Sequence, residues 1–404
     1  MRVLLLGAGG VGCAAARILA RRSFAEAVVI GDYDLFRAEA AAASTRDLRF
    51  SAAQVDASNQ RAVEATISEH RIDAVVGVTD PRSTMPTFRA ALACRTLYID
   101  MAISSSKPHP VHPYRETGVK LGDEQFALAE EWAQGGQLAL LGMGVEAGLA
   151  DVFARYASDH LFDEIDEAGV RDAANLNING RDIAPVHGMW TAIDECLSPP
   201  VVFERDRGWF TTEPFSEAEI FDFPEGIGPI ECVNVEHEEV LLIPRWVEAK
   251  RVTFKYGLGA EFVSTLRTLR KLGLDRREPV VVNGVLVSPR DVVAACLPDP
   301  AGLGKLARGK TCSGLWVRGT GKDGRPRSTY LYRAVDNEWS LQEYGAQAAN
   351  WQTAVNPIVA LELISSGLWS GVGVLGPEAF DAVPFLTLLA KDYESPWRLQ
   401  EIPA

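Results

Sequence analysis

The segment Gly7-Ala8-Gly9-Gly10-Val11-Gly12 follows the apolar run Val3-Leu4-Leu5-Leu6 and opens a small-residue helix from Cys13 to Leu19. Few local patterns restrict a fold as much as this G-x-G-x-x-G turn between strand and helix. Gly7 permits the tight turn, Gly9 lets the backbone approach a pyrophosphate, and Gly12 lets helix and strand pack closely. Free amides and the positive end of the helix dipole then favour phosphate over Gly10 and Val11. A second apolar run, Ala27-Val28-Val29-Ile30, ends in Gly31-Asp32, and Asp32 stands 20 residues beyond Gly12. A carboxylate at that distance accepts hydrogen bonds from the ribose hydroxyls of NAD and repels the 2′-phosphate of NADP. NAD is the expected cofactor. NADP stays possible because Arg37 can pair with a 2′-phosphate if its loop folds back.

The alternation continues with strand Phe50 to Val55, helix Ala62 to His70, strand Ala74 to Val78, helix Arg82 to Ala93 and strand Thr96 to Ile99. Helix Asp123 to Ala133 and strand Gln137 to Leu141 complete the series. Strands and helices alternating at this spacing make a parallel sheet. Ligands of such sheets bind at the carboxyl ends of the strands, where Asp56 and Ala57, Thr79 and Asp80, and Met101 stand as further cofactor contacts. Asp80 before Pro81 is equally suited to cap a helix.

From about residue 165 β-branched and charged residues alternate and glycines and prolines punctuate the chain. Runs such as 239–243, Val252-Thr253-Phe254 and 280–282 read as strands, and the pair 311–319 and 329–334 flanks a hairpin turn. A helix from Pro357 to Ser365 and the turn-rich passage Gly371 to Glu378 lead back towards the first domain. The expected fold is therefore α/β: a Rossmann-type, doubly wound parallel sheet formed by residues 1–143 with 355–395. Residues 144–354 form a second α+β domain with a mixed sheet.

Composition narrows the partners. The formal net charge is −14 and no long basic run exists, which excludes a nucleic-acid backbone as partner. No stretch reaches the roughly 18–20 apolar residues that a membrane helix needs, and Met1-Arg2 runs straight into the first strand, so a cytoplasmic protein is expected. The six cysteines are scattered without a C-x-x-C pair, and His109 and His112 lie in a proline-rich loop, so no metal site is expected.

Taken together, Gly7 to Gly12, Asp32, Thr79-Asp80-Pro81, the Gly142-Met143-Gly144-Val145-Glu146-Ala147-Gly148-Leu149 segment, Lys255-Tyr256-Gly257 and Gly371 to Glu378 resemble the saccharopine dehydrogenase-like family. Ala147 stands where many members carry proline. The resemblance implies nicotinamide-dependent hydride transfer at a carbon bearing an amine. It also implies a second domain that binds substrate and dimerises the protein. The expected substrate is an amino acid or polyamine-like amine, consumed by oxidative deamination or formed by reductive condensation. The reading from another class is a non-catalytic NAD(H) sensor or scaffold.

Such chemistry needs a proton donor or acceptor and anchors for the substrate. His237, flanked by Glu236, Glu238 and Glu239, is a candidate because neighbouring carboxylates raise an imidazole pKa. Lys255 shares a strand face with Thr253, opposite Val252, Phe254 and Tyr256, and is a second candidate. Glu146, expected at a helix start, is the third. Trp190 near Asp194 and Glu195 can cradle an ammonium group by cation–π contact, Glu238 can pair with it, and Arg171 and Arg245 can hold a carboxylate. Each has a plain structural alternative: a solvated edge for His237, a surface lysine for Lys255, a helix cap for Glu146, core packing for Trp190 and surface ion pairs for the arginines.

Overall fold

Strands buried on both faces read as continuous apolar runs, and the first strand is one of them: Val3 to Leu6 are fully buried. The computed structural model describes residues 1–178, 196–276, 278–296 and 306–402. Its strands are β1 (Arg2–Leu6), β2 (Ala27–Asp32), β3 (Phe50–Gln54), β4 (Ala74–Gly77), β5 (Leu97–Asp100), β6 (Leu138–Leu140) and β7 (Phe162–Ala174). Then follow β8 (Asn177–Ile178), β9 (Val201–Glu204), β10 (Gly208–Thr211), β11 (Glu219–Phe223), β12 (Gly228–Asn234) and β13 (Ala249–Gly257). The last are β14 (Val280–Val282), β15 (Val285–Val287), β16 (Ala307–Arg308), β17 (Lys310–Gly321), β18 (Pro326–Asp336), β19 (Gly373–Leu375) and β20 (Arg398–Glu401).

A seven-stranded, wholly parallel sheet has the order β19-β6-β5-β4-β1-β2-β3. The reversal of strand order beside β1 opens the crevice in which such sheets bind ligands. Alternate residues serve two cores: Val3, Leu5, Val28 and Ile30 pack on one face, Leu4, Leu6, Val29 and Val75 on the other. The expected Gly371 to Glu378 return occurs, since β19 runs parallel to β6 with Val374 opposite Ala139. Helix Ala348–Ser365 begins nine residues earlier than the sequence suggests and carries Pro357 inside it. Arg22, just beyond helix Gly10–Ala20, pairs with Glu362 of Ala348–Ser365 at 2.6 Å, and Arg17 within Gly10–Ala20 donates at 2.7 Å to the carbonyl of Tyr344, the last residue of the preceding helix Asn337–Tyr344.

The second sheet is mixed, ordered β10-β9-β13-β7-β17-β18-β20, with β12 added on β13 and β11 on β12. Only β13 and β7 pair in parallel within it; their neighbours are antiparallel. One face, through Ala168, Val170, Val252, Phe254 and Leu315, shares a core with the first sheet. The opposite face, with Ala173, Cys312 and Tyr330, is covered by Phe221, Phe223 and Cys232 of the β11–β12 hairpin.

Three local expectations change. Residues 239–243 are not a strand but the start of helix Glu239–Trp246. All five are fully buried, and a short apolar run buried on every side shows neither helical nor strand periodicity. Glu146 does not open a helix; it lies in the turn before helix Leu149–His160. The single helix expected from Asp123 to Ala133 is two short ones, Asp123–Phe126 and Ala129–Gln134. Among the described residues no helix is long and apolar enough to cross a membrane.

Candidate functional site

The glycine turn has the geometry that a dinucleotide needs. Gly7 has φ +108°, a conformation that a side chain opposes, and a Cβ on Gly12 would overlap the Gly7 carbonyl oxygen. A methyl group placed on Gly9 would meet nothing closer than the Arg37 guanidinium, 3.7 Å away, so the backbone there is open to a pyrophosphate. Helix Gly10–Ala20 has no side-chain cap and no acidic residue in its first turn, leaving its amides for an anion. These residues fit the expected cofactor.

Asp32 is buried, and its carboxylate accepts from the amides of Ala8 at 2.8 Å and Asp34 at 3.0 Å. Arg37 stands not in a loop but in the first turn of helix Leu35–Thr45, which puts its guanidinium 4.0 Å from that carboxylate, beside the ribose position. Asp56 accepts from the Ser58 amide and hydroxyl, which hold its carboxyl below the usual range. The Ala57 carbonyl accepts from Thr87 at 3.3 Å. Thr79 borders Gly7, and Met101 borders Gly144. Asp80 caps the turn Pro81–Ser83 through the Arg82 amide at 2.9 Å, as its capping alternative requires.

The second lobe contributes a row that single residues do not advertise. Strand register sets Tyr256 beside Asp172, Asp172 opposite Ser313, and Ser313 opposite Arg333. Alternation puts these four polar side chains on the face shared with the Rossmann lobe, one step beyond the apolar row Phe254, Val170, Leu315 and Leu331. Glu146 lies against this row. Burial, with the Glu146 carboxylate beside it, pushes the Asp172 carboxyl well above its ordinary range. Two neighbouring carboxyls form a ready site for an ammonium group. Asn356 completes the wall, donating to the Gly144 carbonyl at 2.8 Å and accepting from Arg333 at 3.4 Å.

His237 sits in the loop between β12 and helix Glu239–Trp246, its ring stacked 4.0 Å from Phe254. Its Nδ1 is 2.6 Å from the Glu239 carboxylate and 3.0 Å from that of Glu238. Burial pushes the Glu239 carboxyl up to about 8 and that of Glu236 to about 7. Behind Glu239 lie Asp151, raised by burial to about 6, and Glu378, raised well above its usual range. Ligand-type atoms of His237, Glu238 and Glu239 lie within 4.8 Å of one another, the spacing of a metal site. Burial that favours protonated carboxyls suits proton storage better than cation binding. His237 is buried, so its expected alternative as a solvated edge does not hold.

The remaining candidates separate. Lys255 and Arg171 are both buried on the sheet face turned away from the Rossmann lobe, where Glu219 accepts from Lys255 at 2.7 Å and from Arg171 at 2.5 Å. Lys255 is thus neither a surface lysine nor near Glu146. Arg245 rests over the Phe126 ring at 3.7 Å and donates to the Leu241 carbonyl. Trp190 lies outside the described residues. His109 and His112 stack 5.8 Å apart in their loop, with His109 Nδ1 accepting from the His112 amide at 2.9 Å. Sequence reasoning missed Ser313, Arg333, Asn356, Asp151 and Glu378. The hairpin signal around residues 320–325 could have aligned Ser313 with Arg333, but nothing local points to the rest.

A glycine cradle at a strand-order reversal, facing a lobe lined with buried carboxyls, defines a nicotinamide-dependent dehydrogenase. The saccharopine dehydrogenase NADP binding domain matches residues 3–140, and the saccharopine dehydrogenase C-terminal domain matches residues 146–393. The chain belongs to the saccharopine dehydrogenase family and is an NAD(P)-dependent oxidoreductase. It is 29% identical over 399 residues to a carboxynorspermidine synthase of Vibrio cholerae, covering 96% of this chain and 94% of that one. It is 26% identical over 397 residues to a carboxyaminopropylagmatine dehydrogenase of Synechocystis sp., covering 98% and 96%. The fold matches apo saccharopine dehydrogenase (L-Glu forming) from Saccharomyces cerevisiae with a TM-score of 0.70 and 13% identity over the whole of both chains.

Proposed function

We propose that the chain joins a primary amine of a polyamine-like substrate to a carbonyl compound bearing a carboxylate, and reduces the resulting imine to a secondary amine. The observation that carries this reading is the Glu146–Asp172 carboxyl pair in the cleft. Paired carboxyls suit the ammonium group of an amine substrate, and carboxylated amines are what the names of the two relatives describe.

Bound nicotinamide supplies the hydride to the imine carbon. The chain does the rest. Glu146 and Asp172 hold the amine by charge-assisted hydrogen bonds. Condensation releases one water, and the imine nitrogen then needs one proton as the carbon gains hydride. His237, with Glu238 and Glu239 on its Nδ1, donates that proton, and the buried carboxyls behind it restore it. Asp32 favours NAD and the nearby Arg37 accommodates the 2′-phosphate of NADP, so both cofactors are used. Lys255 and Arg171 support the sheet rather than the reaction. The division into residues 1–143 with 355–395 and residues 144–354 is supported by β19 lying beside β6. The active form is a homodimer.

The test follows NAD(P)H absorbance with diamines, agmatine-like amines and carboxylated aldehydes, singly and in pairs. Turnover that needs both an amine and a carbonyl supports condensation. Oxidation of a single amine supports deamination instead, and tight NADH binding without any turnover supports a sensor.

A further inference from the structure

Where β18 ends, a cavity of about 290 Å³ opens between that strand, helix Asn337–Tyr344, helix Ala348–Ser365 and the segment 394–396. Its inner wall is Arg333, Val335, Trp351 and Ser395, all buried, and its rim is Trp339 and the exposed Glu394. Glu146, Asp172 and His237 do not line it, so it lies beyond the cleft, with Arg333 as the wall between the two.

Arg333 is 1% exposed. Its Nη1 donates to Ser395 at 3.1 Å and to Asn356, its Nη2 donates to the Gln352 carbonyl at 2.9 Å, and its Nε has no partner. Among the described residues no carboxylate lies within 4.0 Å of this guanidinium; the charge acting on it is that of Glu146 from the cleft side. A buried cation with an unused N–H is costly unless an acceptor completes it. Trp351 lies under the guanidinium at 5.5 Å, and Trp339 meets Trp351 edge to face at 4.9 Å. Asp336 also lines the cavity, half-buried and with its Oδ1 capping its helix through the amides of Glu338 and Trp339, and Glu394 is the exposed acid at the mouth.

We propose that this cavity binds a small zwitterionic amino acid with an apolar side chain. Its carboxylate meets Arg333, its ammonium group meets Glu394, and its side chain lies against the two indoles and Val335. The pattern of a cation at depth, an acid at the rim and apolar walls between them fits neither a plain anion nor a plain amine. Occupancy reaches the cleft through two hydrogen bonds, Arg333 to Asn356 and Asn356 to the Gly144 carbonyl, which hold the turn carrying Glu146. The site is therefore an effector site for the amine-joining activity. Binding stands independently of that activity, and only the effect on turnover rests on the proposed reaction.

Calorimetry on the intact protein with L-leucine, 4-methylpentanoate and 3-methylbutylamine tests it. L-leucine is expected to saturate one site per chain, and 3-methylbutylamine, lacking the carboxylate, to bind about tenfold or more weaker. Glu394→Gln is expected to weaken L-leucine several-fold and leave 4-methylpentanoate unchanged, while Trp339→Ala removes both without changing NADPH binding. Absence of saturable heat with L-leucine up to about 10 mM, a range that reaches weak affinities, overturns the proposal. So does L-leucine binding that neither substitution affects, because the ligand then sits in the cleft. Should Trp339→Ala fail to fold, Glu394→Gln decides alone. Turnover unchanged by bound L-leucine overturns the effector role while leaving the site.

Discussion

At the scale of single residues, burial turns the meaning of the charged side chains. Lys255 and Arg171 carry the residue types of a catalytic base and a carboxylate anchor, yet both serve Glu219 beneath the β11–β12 hairpin. Removing one member of such a group leaves the others poorly compensated. Lys255→Met is expected to cost about 2–3 kcal/mol, less than a fully buried pair because Glu219 is a third exposed, with turnover per folded molecule kept. Glu146→Gln is expected to do the reverse: stability held, and kcat/KM for the amine lowered roughly tenfold to a hundredfold by loss of a charged hydrogen bond. Urea unfolding together with steady-state kinetics on both variants decides, and equal loss of activity in the two would sink the division of roles.

At the scale of elements, most of the Rossmann half was legible because its strands alternate with helices and each turn carries its own signal. Asp34 caps helix Leu35–Thr45 through the Phe36 amide, and Asn59 caps Gln60–His70 through the Ala62 amide. Helix Glu239–Trp246 was not legible, since a run buried all round loses its period. Residues 280–282 read as a strand and form one, β14, paired with β15, but Val281, Val285 and Leu286 of this hairpin are mostly exposed. A two-stranded ribbon is marginal alone in water, and its neutral apolar surface suits a second copy of the same chain in the proposed homodimer. Leu286→Glu is therefore expected to shift the mass seen by sedimentation from two chains to one. A variant that keeps the wild-type mass would move the interface elsewhere.

At the scale of the whole molecule, the two lobes close over a set of buried carboxyls. Burial raises Asp151 to about 6, Asp100 and Glu236 to about 7 and Glu239 to about 8. In the unfolded chain these groups release their protons near pH 4, so between about pH 4 and 8 the folded state binds more protons. Stability consequently falls as pH rises through that window, opposite to a protein held by salt-bridged carboxylates. The urea midpoint is expected to be higher at pH 6 than at pH 8.5. A midpoint that climbs over that interval would show these groups ionised and paired in the native state.

The chain's own sequence determined the cofactor half. The glycine turn, the strand that follows it and Asp32 lie within one short stretch, and their chemistry depends on spacing along the backbone. Sequence also marked His237 and Glu146 as acid-base candidates, because a histidine among carboxylates and an acid beside glycines stand out locally. Only the tertiary structure decided what those residues face. Asp172, Ser313 and Arg333 are joined by strand register across three strands, and Asp151, Glu239 and Glu378 by the packing of separate helices and a loop. Register separated Lys255 from the cleft as well: alternation placed it opposite Phe254 correctly, but which of the two faces meets the Rossmann lobe is fixed by the partner core. That choice comes from summed burial over distant residues, and no local pattern encodes it.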